Sequence, residues 1–170
     1  MCNHVSFVDA LVISAACRRP IRFIMDDAIF RAPVIRTLAT EMKAIPIASA
    51  KENPEVYEQA FASAAEALRD GELLCIFPEG RLTADGEIAV FRPGLTRILA
   101  ATPVPVIPIA IAGLWGSMFS RQYRKLWQRL PRKLWHRVIV NVGSVIAPEA
   151  AAPERLREKV CALYLESSGT

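Results

Sequence analysis

The sequence predicts an α/β domain, a largely parallel mixed sheet flanked by helices. Three observations predict it. Short apolar runs recur along the chain as candidate strands. Longer segments with helical spacing and recognisable start signals separate them. The length, 170 residues, suits one domain able to bury a core without a metal or disulfide staple. Strands that alternate with helices pair mostly in parallel.

The elements follow in order. Ser6 begins a helix, with Asp9 three residues on as in a capping box, and Leu11, Val12 and Ile13 carry it toward Cys17. Arg18-Arg19-Pro20 stops it. Residues 21–25 form a short strand. Asp26 and Asp27 then sit where a helix N-terminus favours acids, and the helix they open runs to Met42, kinked at Pro33. Residues 44–48 are a second strand. Asn53-Pro54-Glu55 supplies a cap, a first-turn proline and an acid, and Tyr57, Phe61, Ala64 and Leu68 continue at helical spacing to the Asp70-Gly71 stop. Residues 73–77 are a buried strand and 83–86 a turn. A proline-started helix covers 93–101. The strand at 104–112 carries Pro105 and Pro108, which cannot donate to a ladder, so it lies at an edge or is locally broken. Residues 138–145 form a further strand and 153–166 a closing helix. In such sheets ligands bind beyond the carboxyl ends of the strands.

Composition narrows the function classes. Apolar residues make up 52% and charged residues 22%, a globular balance. The four cysteines are scattered with no CxxC pair, which reads as reduced thiols in a cytosolic compartment. No signal peptide is visible and no apolar run is long enough to span a bilayer, so the chain is expected to be soluble or peripheral. No GxSxG elbow is present, which argues against a serine esterase. No zinc-ligand spacing or RNA-binding motif occurs, and neither a metal nor a nucleic-acid partner is expected.

The net charge of +4 is unevenly placed. Segment 121–137 holds seven of the 21 basic residues and no acid, leaving 14 basic and 17 acidic residues elsewhere. Trp127 and Trp135 interleave with cations that include Arg129, Arg132 and Lys133. That pattern fits contact with an anionic membrane surface. A solvated basic face with inward-packed tryptophans gives the same pattern, as does phosphate contact with a nucleic acid.

Two short motifs have chemical potential. In Asn3-His4-Val5-Ser6-Phe7-Val8-Asp9, a His in the approach to a helix and an Asp in its first turn can meet. The carboxylate would hold one imidazole nitrogen and leave the other for a substrate hydroxyl. On these residues alone, a simple helix cap beside a surface histidine accounts for the pattern as well. Phe77-Pro78-Glu79-Gly80-Arg81-Leu82-Thr83 follows a buried strand: Gly80 permits a tight turn and Arg81 can grip a phosphate, though an ordinary strand exit also uses Pro and Gly. A third run, Val106-Ile107-Pro108-Ile109, forces no chemistry.

Taken in order, these blocks, with Phe91-Arg92-Pro93-Gly94 between the last two, resemble the lysophosphatidate acyltransferase or glycerophospholipid acyltransferase family over at least residues 3–117. The resemblance implies a glycerolipid-acyltransferase fold and an enzyme that moves a fatty-acyl group from acyl-CoA or acyl-carrier protein to the free hydroxyl of a lysophospholipid. Those carriers are co-substrates, and no cofactor is implied. His4 would be the general base and Asp9 its orienter. Glu79, Gly80, Arg81 and Thr83 would bind the glycerol-phosphate end of the acceptor. The family's second block has an arginine soon after Ile-x-Ile; here Ile45-Pro46-Ile47 leads to Lys51, which would take that phosphate contact. FPEG is followed by Arg81 one place early, as in the branch fused behind a lysophospholipid transporter, which reacylates lysophosphatidylethanolamine-type lipids. Family members supply a strand, and often an anchoring segment, before the histidine. The resemblance therefore implies a single domain over 1–170, short at its N-terminus, on the cytoplasmic face of the inner (plasma) membrane. A thioesterase, or a basic membrane- or nucleic-acid-binding module without catalysis, is the alternative expectation.

Overall fold

The structure, a computed structural model, describes residues 1–117, 120 and 137–168. Segment 121–136, with Trp127, Arg129, Arg132, Lys133 and Trp135, lies outside the described residues.

Helix α1 (Asp9–Ala16) leads into β1 (Ile21–Asp26), followed by α2 (Asp27–Phe30), α3 (Pro33–Glu41) and β2 (Ile45–Ile47). Helix α4 (Pro54–Arg69), β3 (Leu73–Cys75), α5 (Gly94–Ala101), β4 (Ile109–Ala112), β5 (Ile139–Val142) and α6 (Pro153–Ser168) complete the order. β1 is central in a parallel sheet of order β2-β1-β3, with Ile24 opposite Ile45 and Phe23 opposite Cys75. β4 and β5 pair antiparallel. The two sheets meet at the first residues of the chain. Cys2 N donates to Ile76 O at 3.1 Å on one side, and Ile109 N donates to Met1 O at 2.9 Å on the other. Cys2 bridges Ile109 in parallel. This seam links the two sheets through one isolated bridge and the hydrogen bonds around it.

The pleat sends alternate side chains to opposite faces. Phe23, Cys75 and Ile111 join Cys2, Val5, Ile13 and Leu114 under α1. Their neighbours Ile24, Ile76 and Ala110 join a second core with Ala60 and Ala64 of α4, Leu95 and Ile98 of α5, and Leu156 and Val160 of α6. Helices thus cover both faces, as a parallel sheet requires.

The best-signalled helix obeys its signals. Asn53 Oδ1 accepts from Val56 N at 3.1 Å, and Pro54 opens α4. At the other end Gly71 takes φ +74°, and Gly71 N and Glu72 N donate to Leu68 O and Ala67 O. That is a Schellman stop, which needs the left-handed residue that Gly accepts without strain. Four expected boundaries shift. α1 starts at Asp9, not Ser6, because Ser6 turns the chain first: its Oγ accepts from Val8 N at 3.1 Å. The expected kinked helix at 26–42 is two helices, since a residue before proline avoids helical angles and Ala32 is extended at ψ 126°. The expected 104–112 strand pairs regularly only from Ile109. Before it, Val106 makes one isolated bridge to Ile146, consistent with the missing donors of Pro105 and Pro108. The 138–145 strand contracts to Ile139–Val142. All four cysteines are free, with Cys2 and Cys75 buried in the core under α1.

Candidate active site

The seam ends in His4. Before it, fully buried Asn3 locks the seam to β4: Asn3 Nδ2 donates to Ile111 O at 3.0 Å, and Ile111 N donates to Asn3 Oδ1 at 2.8 Å. The chain then turns through Ser6 into α1, and the turn brings Asp9 back beneath His4. His4 Nδ1 lies 2.9 Å from Asp9 Oδ2. The same oxygen accepts from Val5 N at 2.7 Å and Ser6 N at 2.9 Å. Asp9 is fully buried, whereas the His4 side chain keeps 23% of its surface exposed. The capping and orienting accounts of Asp9 therefore both hold, on one atom. Two main-chain donors fix the carboxylate, and the fixed carboxylate fixes the imidazole. Its hold on Nδ1 leaves Nε2 as the nitrogen able to take a proton.

Phe77 closes one face of the imidazole. The rings stack with centroids 4.2 Å apart and planes 18° from parallel, and Phe23 stacks behind Phe77 at 6.2 Å. A ring held by Asp9 at one nitrogen and by Phe77 along one face has little rotational freedom left.

Glu79 is 2% exposed, and both its oxygens face main chain: Oε1 accepts from His4 N at 2.7 Å and Oε2 from Ala89 N at 2.8 Å. Burial raises its pKa above the ordinary carboxylate range, while the two N–H donors and His4 pull it back. The geometry makes Glu79 a brace under His4 more directly than an acceptor ligand. Thr83 is turned inward too. Its N donates to His4 O at 2.9 Å. Its hydroxyl bonds Asp85 Oδ1 and Glu87 O, and accepts from Gly86 N, within the 83–87 loop.

Gly80 takes φ +64° in the turn after β3. A Cβ there would lie 2.7 Å from Arg92 Cδ and 2.8 Å from Arg92 Nε, so only Gly admits the arginine so close. Arg92 is anchored by its own N, which donates to Pro78 O at 2.8 Å. Arg81 and Arg92, both exposed, thus flank one glycine on the loop that holds His4. Lys51 is exposed on the β2–α4 turn, with β1 and β3 between β2 and the seam. At normal strand spacing that is roughly 14 Å across the sheet. Asn3, Phe77 and Arg92 are site residues to which sequence reasoning gave no role. Arg92 had a visible signal in the Phe91-Arg92-Pro93-Gly94 block; the others act through contacts 73 or more residues apart in the chain. Among the described residues no cluster of His, Cys, Asp and Glu able to hold a metal occurs.

Residues 1–112 match the model of the Acyltransferase family. A chloroplastic 1-acyl-sn-glycerol-3-phosphate acyltransferase from Brassica napus is 31% identical over 111 residues, which cover 65% of this chain and 31% of that protein. Its counterpart from Arabidopsis thaliana is 29% identical over the same share of this chain and 30% of its own length. The chain therefore spans about a third of these plant relatives. The crystal structure of the 1-acyl-sn-glycerophosphate acyltransferase PlsC from Thermotoga maritima superposes with a TM-score of 0.67, covering 98% of this chain and 62% of that one. At 20% identity that likeness speaks to the fold.

Proposed function

We propose, on the premise that this chain belongs to the Acyltransferase family, that it moves a fatty-acyl group from a thioester donor to the free hydroxyl of a lysophospholipid. The observation that carries this reading is the His4–Asp9 pair at 2.9 Å, with Nε2 left for the substrate. His4 Nε2 takes the hydroxyl proton as the acceptor oxygen attacks the thioester carbonyl carbon. The tetrahedral intermediate collapses, the C–S bond breaks, and the departing thiolate takes the proton back from the imidazolium. Asp9 holds the tautomer and compensates the imidazolium charge. No covalent enzyme intermediate is needed, because the acceptor supplies the nucleophile.

Arg81 on the Gly80 turn supports an acceptor with a phosphate, since a guanidinium meets phosphate bidentately. The names of the plant relatives favour lysophosphatidate as that acceptor, and a lysophosphatidylethanolamine-type lipid is the other candidate. Acyl-CoA and acyl-carrier protein are the two candidate donors. Segment 121–137 would hold the site to the anionic cytoplasmic face of the inner membrane; among the described residues no helix is long and apolar enough to cross one. Product analysis tests the whole reading: labelled acyl thioester is offered with lysophosphatidate, lysophosphatidylethanolamine and no acceptor. A diacyl product that requires His4 is expected. Free fatty acid as the sole product would make the chain a thioesterase, and no turnover of any mixture would leave a binding module.

A further inference from the structure

Glu79 holds the main chain of His4, and a second contact holds Glu79. The Ile88 carbonyl and the Ala89 N–H are the two ends of one planar peptide group. Its N–H end points at Glu79 Oε2 at 2.8 Å. Its C=O end points the other way, to Arg157 of α6: Nη2 donates to Ile88 O at 2.7 Å, and Nε to Ile88 O at 3.2 Å and Ala89 O at 3.1 Å. Arg157 follows fully buried Leu156, and Val160 on the next turn is fully buried as well, so the arginine stands on a seated helix. A rigid fork of donors on two consecutive carbonyls fixes the peptide plane as a point donor would not. A cation on the carbonyl also polarises the group and strengthens the opposite N–H as a donor.

We propose that Arg157 is a positioning residue for the catalytic histidine, acting through the Ile88–Ala89 peptide and Glu79 on the main chain of His4. The proposal rests on the reading of His4 as the base. It gives α6, which lies beyond the residues matched by the family model, a part in catalysis. Arg157 touches neither substrate in this account. It keeps Glu79 seated, and Glu79 keeps His4 at the height where Asp9 and Phe77 can hold its ring. Among the described residues, the charged groups that act on Glu79 are the His4 imidazole and the Asp9 carboxylate, both in the site already described.

The test uses the whole chain with Arg157→Gln and Arg157→Lys. Without substrate, amide hydrogen exchange at Ala89 and His4 should speed up about tenfold in Arg157→Gln, while the β1 amides keep their protection. With substrates, kcat should fall about tenfold and KM for the acceptor should stay within about twofold. Arg157→Lys, which keeps the charge without the fork, should recover part of each effect, and it carries the same readouts if the Gln variant fails to fold. In a Glu79→Gln background the Arg157→Gln loss should nearly vanish, since both act on one path. Unchanged exchange at His4, additive losses, or exchange rising equally across the sheet would overturn the proposal. The exchange readout needs no turnover. A chain with no acyl transfer would therefore defeat the functional reading and still show whether the relay exists.

Discussion

Asp9 Oδ2 lies 2.9 Å from His4 Nδ1 and receives two further hydrogen bonds, from Val5 N and Ser6 N. One oxygen thus ties the histidine to the turn that presents it. His4→Ala removes the proton acceptor without touching those main-chain bonds. Acyl transfer should disappear while the circular dichroism spectrum and melting temperature stay near wild type. Transfer surviving in the folded variant would remove the mechanism. Asp9→Asn should lower kcat by about 10³–10⁴-fold, as loss of an orienting carboxylate does in comparable triads. His136, in the basic segment, should be dispensable.

Asn3 offers a sharper stability test than any apolar core residue beside it. It completes both main-chain hydrogen bonds of one buried residue, Ile111. Asn3→Ala leaves that N–H and C=O buried and unpaired, at a cost of about 1–3 kcal/mol each before relaxation. Urea unfolding should show a loss of a few kcal/mol. Asn3→Asp turns a carboxylate oxygen toward Ile111 O and should be no better. Wild-type stability in both variants would mean that the seam is held elsewhere.

Arg81→Ala should raise KM for the lysophospholipid more than for the acyl donor, because Arg81 is the exposed cation beside Gly80. Arg92→Ala should add to the effect. If only the donor KM moves, the loop binds the thioester carrier and the two substrates have been placed the wrong way round.

Glu79 predicts a pH dependence with a definite sign. Its folded pKa is raised, chiefly by burial. Its contribution to stability is thus fully present below the unfolded carboxyl pKa of about 4.3, and is lost as pH rises through the folded value. Glu79→Gln has no proton to lose. Measured between about pH 4 and 7, wild-type stability should decline relative to Glu79→Gln as pH rises. A difference that stays flat, or rises, would contradict the raised pKa.

Segment 121–137 holds the chain's whole excess of positive charge. Each cation near an anionic surface contributes about 1 kcal/mol before screening. Binding to anionic vesicles should exceed binding to neutral ones, weaken with salt, and weaken again when Arg129, Arg132 and Lys133 become Ala. Turnover of a soluble short-chain acceptor should be unchanged by that triple substitution. Unaltered vesicle binding would sink the membrane role, and equal loss on the soluble acceptor would place these residues in the site or the fold.

Local signals were legible wherever local physics decides. Asn53, Pro54 and Gly71 bound α4 as written, and the strands at β1, β2 and β3 fall within a residue or two of their apolar runs. Pro33 announced a disturbance, but not that the extended Ala32 would divide two helices. In the site, His4 and Asp9 were readable because they are five residues apart and belong to a recognisable block. Glu79 was visible as a residue, and its direction was not. Whether its carboxylate faces solvent or main chain depends on Ala89, ten residues on in an irregular loop. Asn3 and Phe77 stood in the two recognisable blocks without a role, and Arg157 had no local signature. Each acts on a partner that only the folded sheet brings near.

The seam sets a condition on how the His4 site comes into being during synthesis. Met1 and Asn3 find their partners 106 and 108 residues downstream. The histidine is synthesised more than a hundred residues before β4, and its seam with β4 exists only once β4 has followed. A nascent chain that stops short of β4 carries the His4–Asp9 block on a segment held from the β3 side only. Closing so long a loop is an entropically expensive, late event in folding. Assembly of the His4 site therefore waits on completion of the seam, and a product that stops before β4 has the motif without the formed site.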